Sequence, residues 1–137
     1  MPFFDLKEQP TRELFPGVRI TTCWGERVMM SFVDFTRADA RVPEHQHPHE
    51  QMGMCLEGRF ELVIAGEARV VAAGDSYLVP GDTPHSARSL DAPARALDIF
   101  APPRGSISKT GDRGRETGDR GRETGDRGRE TGDGGPG

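Results

Sequence analysis

Apolar and polar residues alternate with a period of two in short runs over residues 1–104, and turn residues separate the runs. Such alternation is typical of β-strands with one buried face, because successive side chains of a strand point to opposite sides. Gly58, Ala65-Gly66 and Gly74-Asp75 lie between consecutive runs at the spacing that hairpins require. The sequence therefore predicts an all-β domain, either a closed barrel or a double-sheet jelly roll, whose interior can hold a small ligand or a metal ion.

Nine runs are long enough to be predicted as strands, and only a turn near residues 6–9 departs from the period of two. The predicted strands cover residues 18–22, 27–35, 41–47, 51–57, 59–64, 68–71, 76–79, 85–89 and 95–100. Met52, Met54 and Leu56 share one face of their strand, opposite Gln51 and Gly53. This apolar face could pack against a second sheet or a second subunit.

Residues 105–137 have a different composition and an internal repeat. The heptapeptide Thr-Gly-Asp-Arg-Gly-Arg-Glu begins at Thr110 and recurs at Thr117 and Thr124. Each repeat lacks an apolar residue and the glycine spacing of collagen, so it can build neither a coiled coil nor a triple helix. We expect a disordered tail after a folded domain of residues 1–104. Weak RNA binding by its Arg-Gly-Arg triplets is the alternative, which the equal numbers of acids and bases disfavour.

The folded part is mildly acidic, which bounds the partners of the protein. The chain has 18 Lys and Arg against 22 Asp and Glu, a net charge of -4, and the repeat tail is balanced. This disfavours nucleic acid as a partner. The sequence shows no apolar run of roughly 20 residues and no secretory signal, so we expect no membrane partner and a cytoplasmic location. Cys23 and Cys55 should then be free thiols.

Three of the four histidines lie within five residues, and the fourth stands alone. His45 and His47 are two apart on a predicted strand, so their side chains should point to the same face. Gln51 opens the next strand, and the turn of residues 80–84 could bring His85 alongside on another strand. Three imidazoles and one amide oxygen suit a divalent transition-metal ion, with open positions left for water or substrate.

Two segments match the sequence motifs of a known family. Residues 45–58 resemble the first cupin motif: a His-x-His pair, three residues, an acidic or amide ligand, then six residues to a glycine. Residues 74–85 resemble the second motif: a glycine, five residues to a proline, then a turn leading to a histidine. Asp39 and Asp82 replace motif glycines, and aspartate tolerates a left-handed backbone better than most residues.

The resemblance covers most of residues 14–100 and implies a cupin double-stranded β-helix, which is a jelly-roll barrel, and the homodimer usual in this family. It implies a divalent transition-metal ion, of nickel, zinc, iron or manganese, held by His45, His47, Gln51 and His85. The motif often has glutamate at the position of Gln51. A neutral amide is a weaker ligand, and it leaves the site more positive and more attractive to an anionic substrate.

Within the cupins, residues 13–19, 43–51, 74–80 and 97–104 resemble the small single-domain type found in pectin degradation. Proteins of that type convert 4,5-unsaturated monouronates, released from pectin or alginate, to linear keto forms. The resemblance therefore implies a small anionic sugar acid as substrate. It also implies substrate-handling roles for three residues near the end of the domain: Asp98, Phe100 and Arg104.

The chemistry of these three residues agrees with such roles. Asp98 and Phe100 share a face of the last predicted strand. If that face is inward, the pKa of Asp98 is perturbed by burial and the carboxyl can serve as general acid or base. Arg104 offers a planar fork that suits a substrate carboxylate. The structural alternatives are a surface charge for Asp98, a core ring for Phe100 and a solvated rim position for Arg104.

Three further residues lie near the predicted site. We expect His49, which follows Pro48 in the connecting loop, at the rim of the metal site. Cys55 is predicted to be a buried structural thiol rather than a cavity-lining one. Tyr77 could donate a proton from the cavity wall or simply fill the mouth of the barrel, and the sequence does not decide between them.

Two other functions fit the same residues. Three histidines with a neutral fourth ligand also suit Fe(II) and dioxygen chemistry, so a metal-dependent dioxygenase is one alternative. The other is a small-molecule-binding cupin without catalysis. Oxygen consumption would identify the first, and ligand binding without turnover would identify the second.

Overall fold

The structure is a computed structural model that describes residues 3–105, and these are all-β apart from one 3-10 turn, Leu6–Glu8. The strands are β1 (Thr11–Phe15), β2 (Val18–Trp24), β3 (Met29–Phe35), β4 (Arg41–His45), β5 (Glu50–Glu57), β6 (Arg59–Ile64), β7 (Glu67–Ala72), β8 (Ser76–Val79), β9 (His85–Ser89) and β10 (Ala94–Ala101). The all-β prediction is confirmed. The predicted repeat tail lies outside the described residues, except for Gly105. No helix within residues 3–105 is long and apolar enough to cross a membrane.

Strand β1 is missing from the sequence prediction, whereas the other strands match predicted runs to within two residues. The segment begins with Thr11, Arg12 and Glu13, so its alternation is carried by polar residues and gives little apolar signal. It is an edge strand of its sheet, paired only with β2 among the described strands. An edge strand buries less surface than a central one, and a polar sequence is typical of that position.

Two antiparallel sheets face each other. The larger has the strand order β1-β2-β3-β10-β5-β8, and the smaller has the order β4-β9-β6-β7. Val18 and Phe35 of the larger sheet pack in one core cluster with Phe60 and Leu62 of the smaller sheet. The ring centroids of Phe35 and Phe60 are 5.6 Å apart. Burial of side chains of this size stabilises the fold by about 1.5–3 kcal/mol each. The same four side chains also line part of an internal cavity.

Two aspartates take the backbone conformation that the motif glycines would take. Asp39 has φ 62° and Asp82 has φ 59°, both in the left-handed region. The backbone N–H of Asp82 donates to the carbonyl oxygen of His47 over 2.7 Å. The turn before β9 is therefore tied to the loop that carries His47, which sets the spacing between the two histidine segments.

Candidate metal and substrate site

His45 and His85 lie opposite each other on neighbouring strands of the smaller sheet. His45 ends β4, His85 begins β9, and the two residues are direct partners in the antiparallel register. Their ring centroids are 4.2 Å apart. The prediction that the turn of residues 80–84 brings His85 alongside is confirmed.

His47 lies beyond the end of β4, so the prediction that one strand carries both His45 and His47 is wrong. The register of β4 shifts between Val42 and His45, and the strand ends there. His47 nevertheless turns inward and is buried. Its ring centroid lies 5.7 Å from that of His45 and 4.9 Å from that of His85. Hydrogen bonding by the loop, rather than strand alternation, directs this side chain to the site.

Each of the three rings is oriented by a backbone carbonyl. Nδ1 of His45 lies 2.8 Å from the carbonyl oxygen of Pro43, and Nδ1 of His85 lies 2.8 Å from that of Thr83. Nδ1 of His47 lies 3.1 Å from the carbonyl oxygen of His49. A carbonyl can only accept, so each Nδ1 carries the hydrogen and each Nε2 keeps its lone pair. This is the arrangement in which proteins present histidines to a metal.

The free lone pairs converge. One nitrogen from each of His45, His47 and His85 lies within 4.8 Å of the others. Nε2 of His47, Nε2 of His85 and Oε1 of Gln51 are buried and have no hydrogen-bond partner among the described residues. A buried acceptor without a partner costs roughly 1–3 kcal/mol, and a shared cation would satisfy all three. The residues present therefore fit a divalent metal ion.

The electrostatics also favour ligation. Burial lowers the pKa of His47 to about 3, with Arg104 and the neighbouring histidines adding to the effect. Burial likewise lowers the pKa of His45 and that of His85 below the usual value. All three imidazoles are thus neutral at pH 7, which is the form that binds metal.

Asp98 lies on β10 with its side chain inward and only 7% exposed. Burial raises the pKa of this carboxyl to about 6, against the opposing influence of hydrogen bonds from Tyr77 and Gln51 and of the charge of Arg104. The hydroxyl of Tyr77 donates to Oδ1 of Asp98 over 2.7 Å. A carboxyl with a pKa near neutrality can give and take a proton at working pH, as a general acid or base must.

Arg104 and Phe100 complete the polar end of the cavity. The guanidinium carbon of Arg104 lies 5.6 Å from the ring centroid of Phe100, a cation–π distance. Burial lowers the pKa of Arg104 to about 10, so the side chain keeps its charge at pH 7. Phe100 is buried in a core cluster and also contacts the ring of His47 edge-on at 5.6 Å. It therefore shapes the cavity as a core ring, and it supplies a face for Arg104.

A cavity of about 390 Å³ joins these groups. His45, Gln51, His85, Asp98 and Arg104 line one end. The remainder is mainly apolar, and its lining includes Val33, Val42, Leu62, Ala87 and Ala96. The volume suits a small ligand whose charged group sits beside Arg104.

Of the other residues considered from the sequence, His49 and Cys55 lie outside this cavity and Tyr77 lines it. His49 is half-buried, and its ring packs against that of His47, as expected for the rim. Cys55 is fully buried in the apolar core and its thiol donates to the carbonyls of Glu57 and Gly58. Tyr77 is the residue whose role the sequence left open, and its contact with Asp98 resolves it as a donor at the cavity wall.

The fold and the ligand pattern define the class of protein. The cupin domain family matches residues 32–100, and the chain belongs to that family. The chain is similar to the pectin degradation protein KdgF of Dickeya dadantii (strain 3937), with 32% identity over 106 residues, which are 77% of this chain and 96% of that protein. The solved structure of KdgF from Halomonas sp. matches with a TM-score of 0.72 at 30% identity, covering 78% of this chain and 98% of that one.

A more distant relative is the H2HPP isomerase of Bacillus subtilis, 27% identical over 100 residues. These residues are 72% of this chain and 42% of that protein, so the match is to one part of it.

Proposed function

We propose that this cupin converts 4,5-unsaturated monouronates to linear keto acids by ring opening and tautomerisation. The observation that carries the proposal is a single cavity lined by a buried carboxyl, a half-buried cation and two neutral imidazoles: Asp98, Arg104, His45 and His85. His47 completes the histidine cluster at this end. The similarity to pectin degradation protein KdgF over most of both chains supports the choice of substrate.

His45, His47, Gln51 and His85 would hold the metal. A divalent ion of nickel, zinc, iron or manganese would supply Lewis-acid polarisation of a substrate oxygen there.

Arg104 binds and orients the substrate. Its guanidinium is half-buried and charged, and it can pair with a uronate carboxylate through two parallel hydrogen bonds. The ring of Phe100 below it limits the positions that the guanidinium can take. The sugar is thereby held with its reacting carbons toward Asp98.

Asp98 moves the proton. In the overall reaction the bond between the ring oxygen and the anomeric carbon breaks, the anomeric hydroxyl loses its proton and becomes an aldehyde, and C4 of the enol gains a proton while C5 becomes a ketone. One carboxyl that accepts the first proton and returns it to C4 balances the reaction without a co-reactant. A positioned proton transfer of this kind contributes about 10² to 10⁴ in rate.

The test is turnover by the purified full chain. Unsaturated galacturonate or mannuronate is incubated with the protein, with and without chelator, and loss of the enol absorbance is followed. We expect loss faster than the spontaneous rate, abolished by chelator and restored by added metal. No acceleration would overturn the uronate assignment.

Two controls separate the other functions. Oxygen uptake during turnover would identify a dioxygenase, whereas activity with zinc excludes one because zinc has no redox chemistry. An Asp98→Ala variant that still binds the uronate but no longer turns it over excludes a pure binding protein.

We also propose that the outer face of the larger sheet forms a homodimer interface. Met52 is 55% exposed there, and Met54, Leu56 and Ile99 are also exposed apolar residues, with Ile99 directly opposite Met52 in the register. Light scattering should give the mass of a dimer for the parent and of a monomer for Met54→Lys. Val70→Lys, on the smaller sheet, is the matched control and should stay dimeric. A monomeric parent would overturn the proposal.

A further inference from the structure

One row of residues across the inner face of the larger sheet is polar where its neighbour is apolar. Thr22, Ser31, Asp98, Gly53 and Tyr77 are consecutive partners in the registers of five adjacent strands. The next inward row in the direction of the core is apolar throughout, and consists of Ile20, Val33, Ala96 and Cys55. A polar side chain buried inside a barrel lowers stability unless it is hydrogen-bonded. The groups that contact Asp98 therefore have to be identified.

The carboxylate of Asp98 is held by a neutral donor. Within residues 3–105 it forms no ion pair of 4.0 Å or less. The hydroxyl of Tyr77, on β8, donates to its Oδ1 over 2.7 Å. This hydrogen bond restricts the rotation of the carboxyl group.

Gly53 makes the contact with Tyr77 possible. Strand β5 lies between β10 and β8, and Gly53 pairs with Asp98 on one side and with Tyr77 on the other. A Cβ atom at position 53 would overlap Oδ1 of Asp98 and the ring of Tyr77. The missing side chain therefore opens the gap through which the phenol reaches across β5 to the carboxylate.

Packing alone does not require the hydroxyl. The ring of Tyr77 packs edge-on against Phe60, with centroids 6.2 Å apart, and a phenylalanine ring could make the same contact. The hydroxyl adds one interaction, the 2.7 Å bond to Oδ1. Because the phenol hydrogen occupies Oδ1, a proton taken up by the carboxyl goes to Oδ2.

We propose that Tyr77 is a positioning residue that fixes Asp98 for proton transfer, and that Gly53 provides the space for this contact. The inference rests on the proposed function, since it assigns Asp98 the proton-transfer role. Tyr77 acts through Asp98: it sets the rotation of the carboxyl group and the oxygen that exchanges the proton.

The first test is the kinetics of Tyr77→Phe with the uronate substrate. Loss of this donor should lower kcat by about 10- to 100-fold, less than the roughly 10²- to 10³-fold effect of a donor that contacts the reacting atoms, because Tyr77 acts through Asp98. KM should stay within about threefold and metal content should be unchanged, because the variant leaves Arg104 and the histidines in place.

The second test needs no turnover. Tyr77 is the only tyrosine of the chain, so tyrosine labelled with ¹³C at Cζ gives one resonance from one phenol. We expect that resonance to move upfield in Asp98→Ala, which removes the acceptor, and to stay in place in the exposed control Asp91→Ala.

The outcomes are distinguishable. If the parent is active and the kcat of Tyr77→Phe stays within twofold of it, the positioning role is overturned. A Tyr77 resonance that does not shift in Asp98→Ala also overturns it. A parent that gives no acceleration overturns the proposed function and with it the role of Tyr77 in that reaction, while the resonance still decides whether the contact exists. The circular dichroism spectrum of Tyr77→Phe at the assay temperature should match that of the parent, which confirms that a lower kcat is not misfolding.

Discussion

Replacing Asp98 with asparagine should stabilise the metal-free protein at neutral pH while it abolishes turnover. Burial raises the pKa of this carboxyl from 3.8 to about 6. A raised pKa means that the folded state binds the proton more tightly than the unfolded state does. The buried charge therefore has no effect on stability below about pH 4, destabilises the fold progressively as the pH rises to 6, and does so fully above that.

The size of the effect follows from the pKa difference. A change of one in pKa corresponds to about 1.4 kcal/mol, so the buried charge costs about 3 kcal/mol at pH 7.5. Asparagine is neutral at every pH and keeps an oxygen that can accept from Tyr77. Asp98→Asn should thus raise the free energy of unfolding by about 3 kcal/mol at pH 7.5, relative to its effect at pH 4.

Urea unfolding at pH 4, 5.5 and 7.5, after removal of metal with chelator, measures this difference. Asp91→Asn is the matched control, because Asp91 is an exposed partner of Arg59 and such pairs contribute little to stability. The reasoning would be refuted if the free energy of unfolding of Asp98→Asn exceeded that of the parent by the same amount at all three pH values. It would also be refuted if this excess were smaller at pH 7.5 than at pH 4.

Three other changes test the remaining parts of the site and fold. Arg104→Gln should lower kcat/KM by about 10- to 100-fold, mainly through KM, because it removes a charged hydrogen bond to the substrate carboxylate; an equal loss in the exposed control Arg41→Gln would contradict this. Phe60→Ala should lower the free energy of unfolding in urea by about 3–5 kcal/mol by opening a core cavity, and a change as small as that of the exposed Val70→Ala would count against the core assignment. Ala96→Leu fills the cavity and should abolish turnover while metal content is retained, and full activity would show that the substrate lies elsewhere.

The barrel and most of the site could be predicted because they depend on local patterns. Alternation with a period of two identifies the faces of strands such as β10, so Asp98 and Phe100 could be placed on one face together, although not which face is the inner one. The left-handed backbone of Asp39 and Asp82 could be predicted because aspartate is one of the few residues that take it readily.

The rest depends on contacts that no local pattern encodes. His47 lies in a loop, and a hydrogen bond to the carbonyl oxygen of His49 orients its ring. Strand alternation predicts the same inward direction, but it assumes that β4 continues to residue 47. The bond between Tyr77 and Asp98 crosses an intervening strand and needs a glycine at position 53, so three distant positions must be known at once. Strand β1 escapes prediction because its alternating residues are mostly polar.

The central claim is that His45, His47, Gln51 and His85 hold one divalent ion, and metal content after loading and dialysis tests it most directly. His49→Ala is the matched control for His47→Ala, since His49 contacts Nδ1 of His47 only through a backbone carbonyl that alanine retains. We predict one ion per chain in the parent and in His49→Ala, and its loss in His47→Ala. A parent that stays metal-free with excess nickel, zinc, iron or manganese, or a His47→Ala variant that binds as much as the parent, would contradict the account.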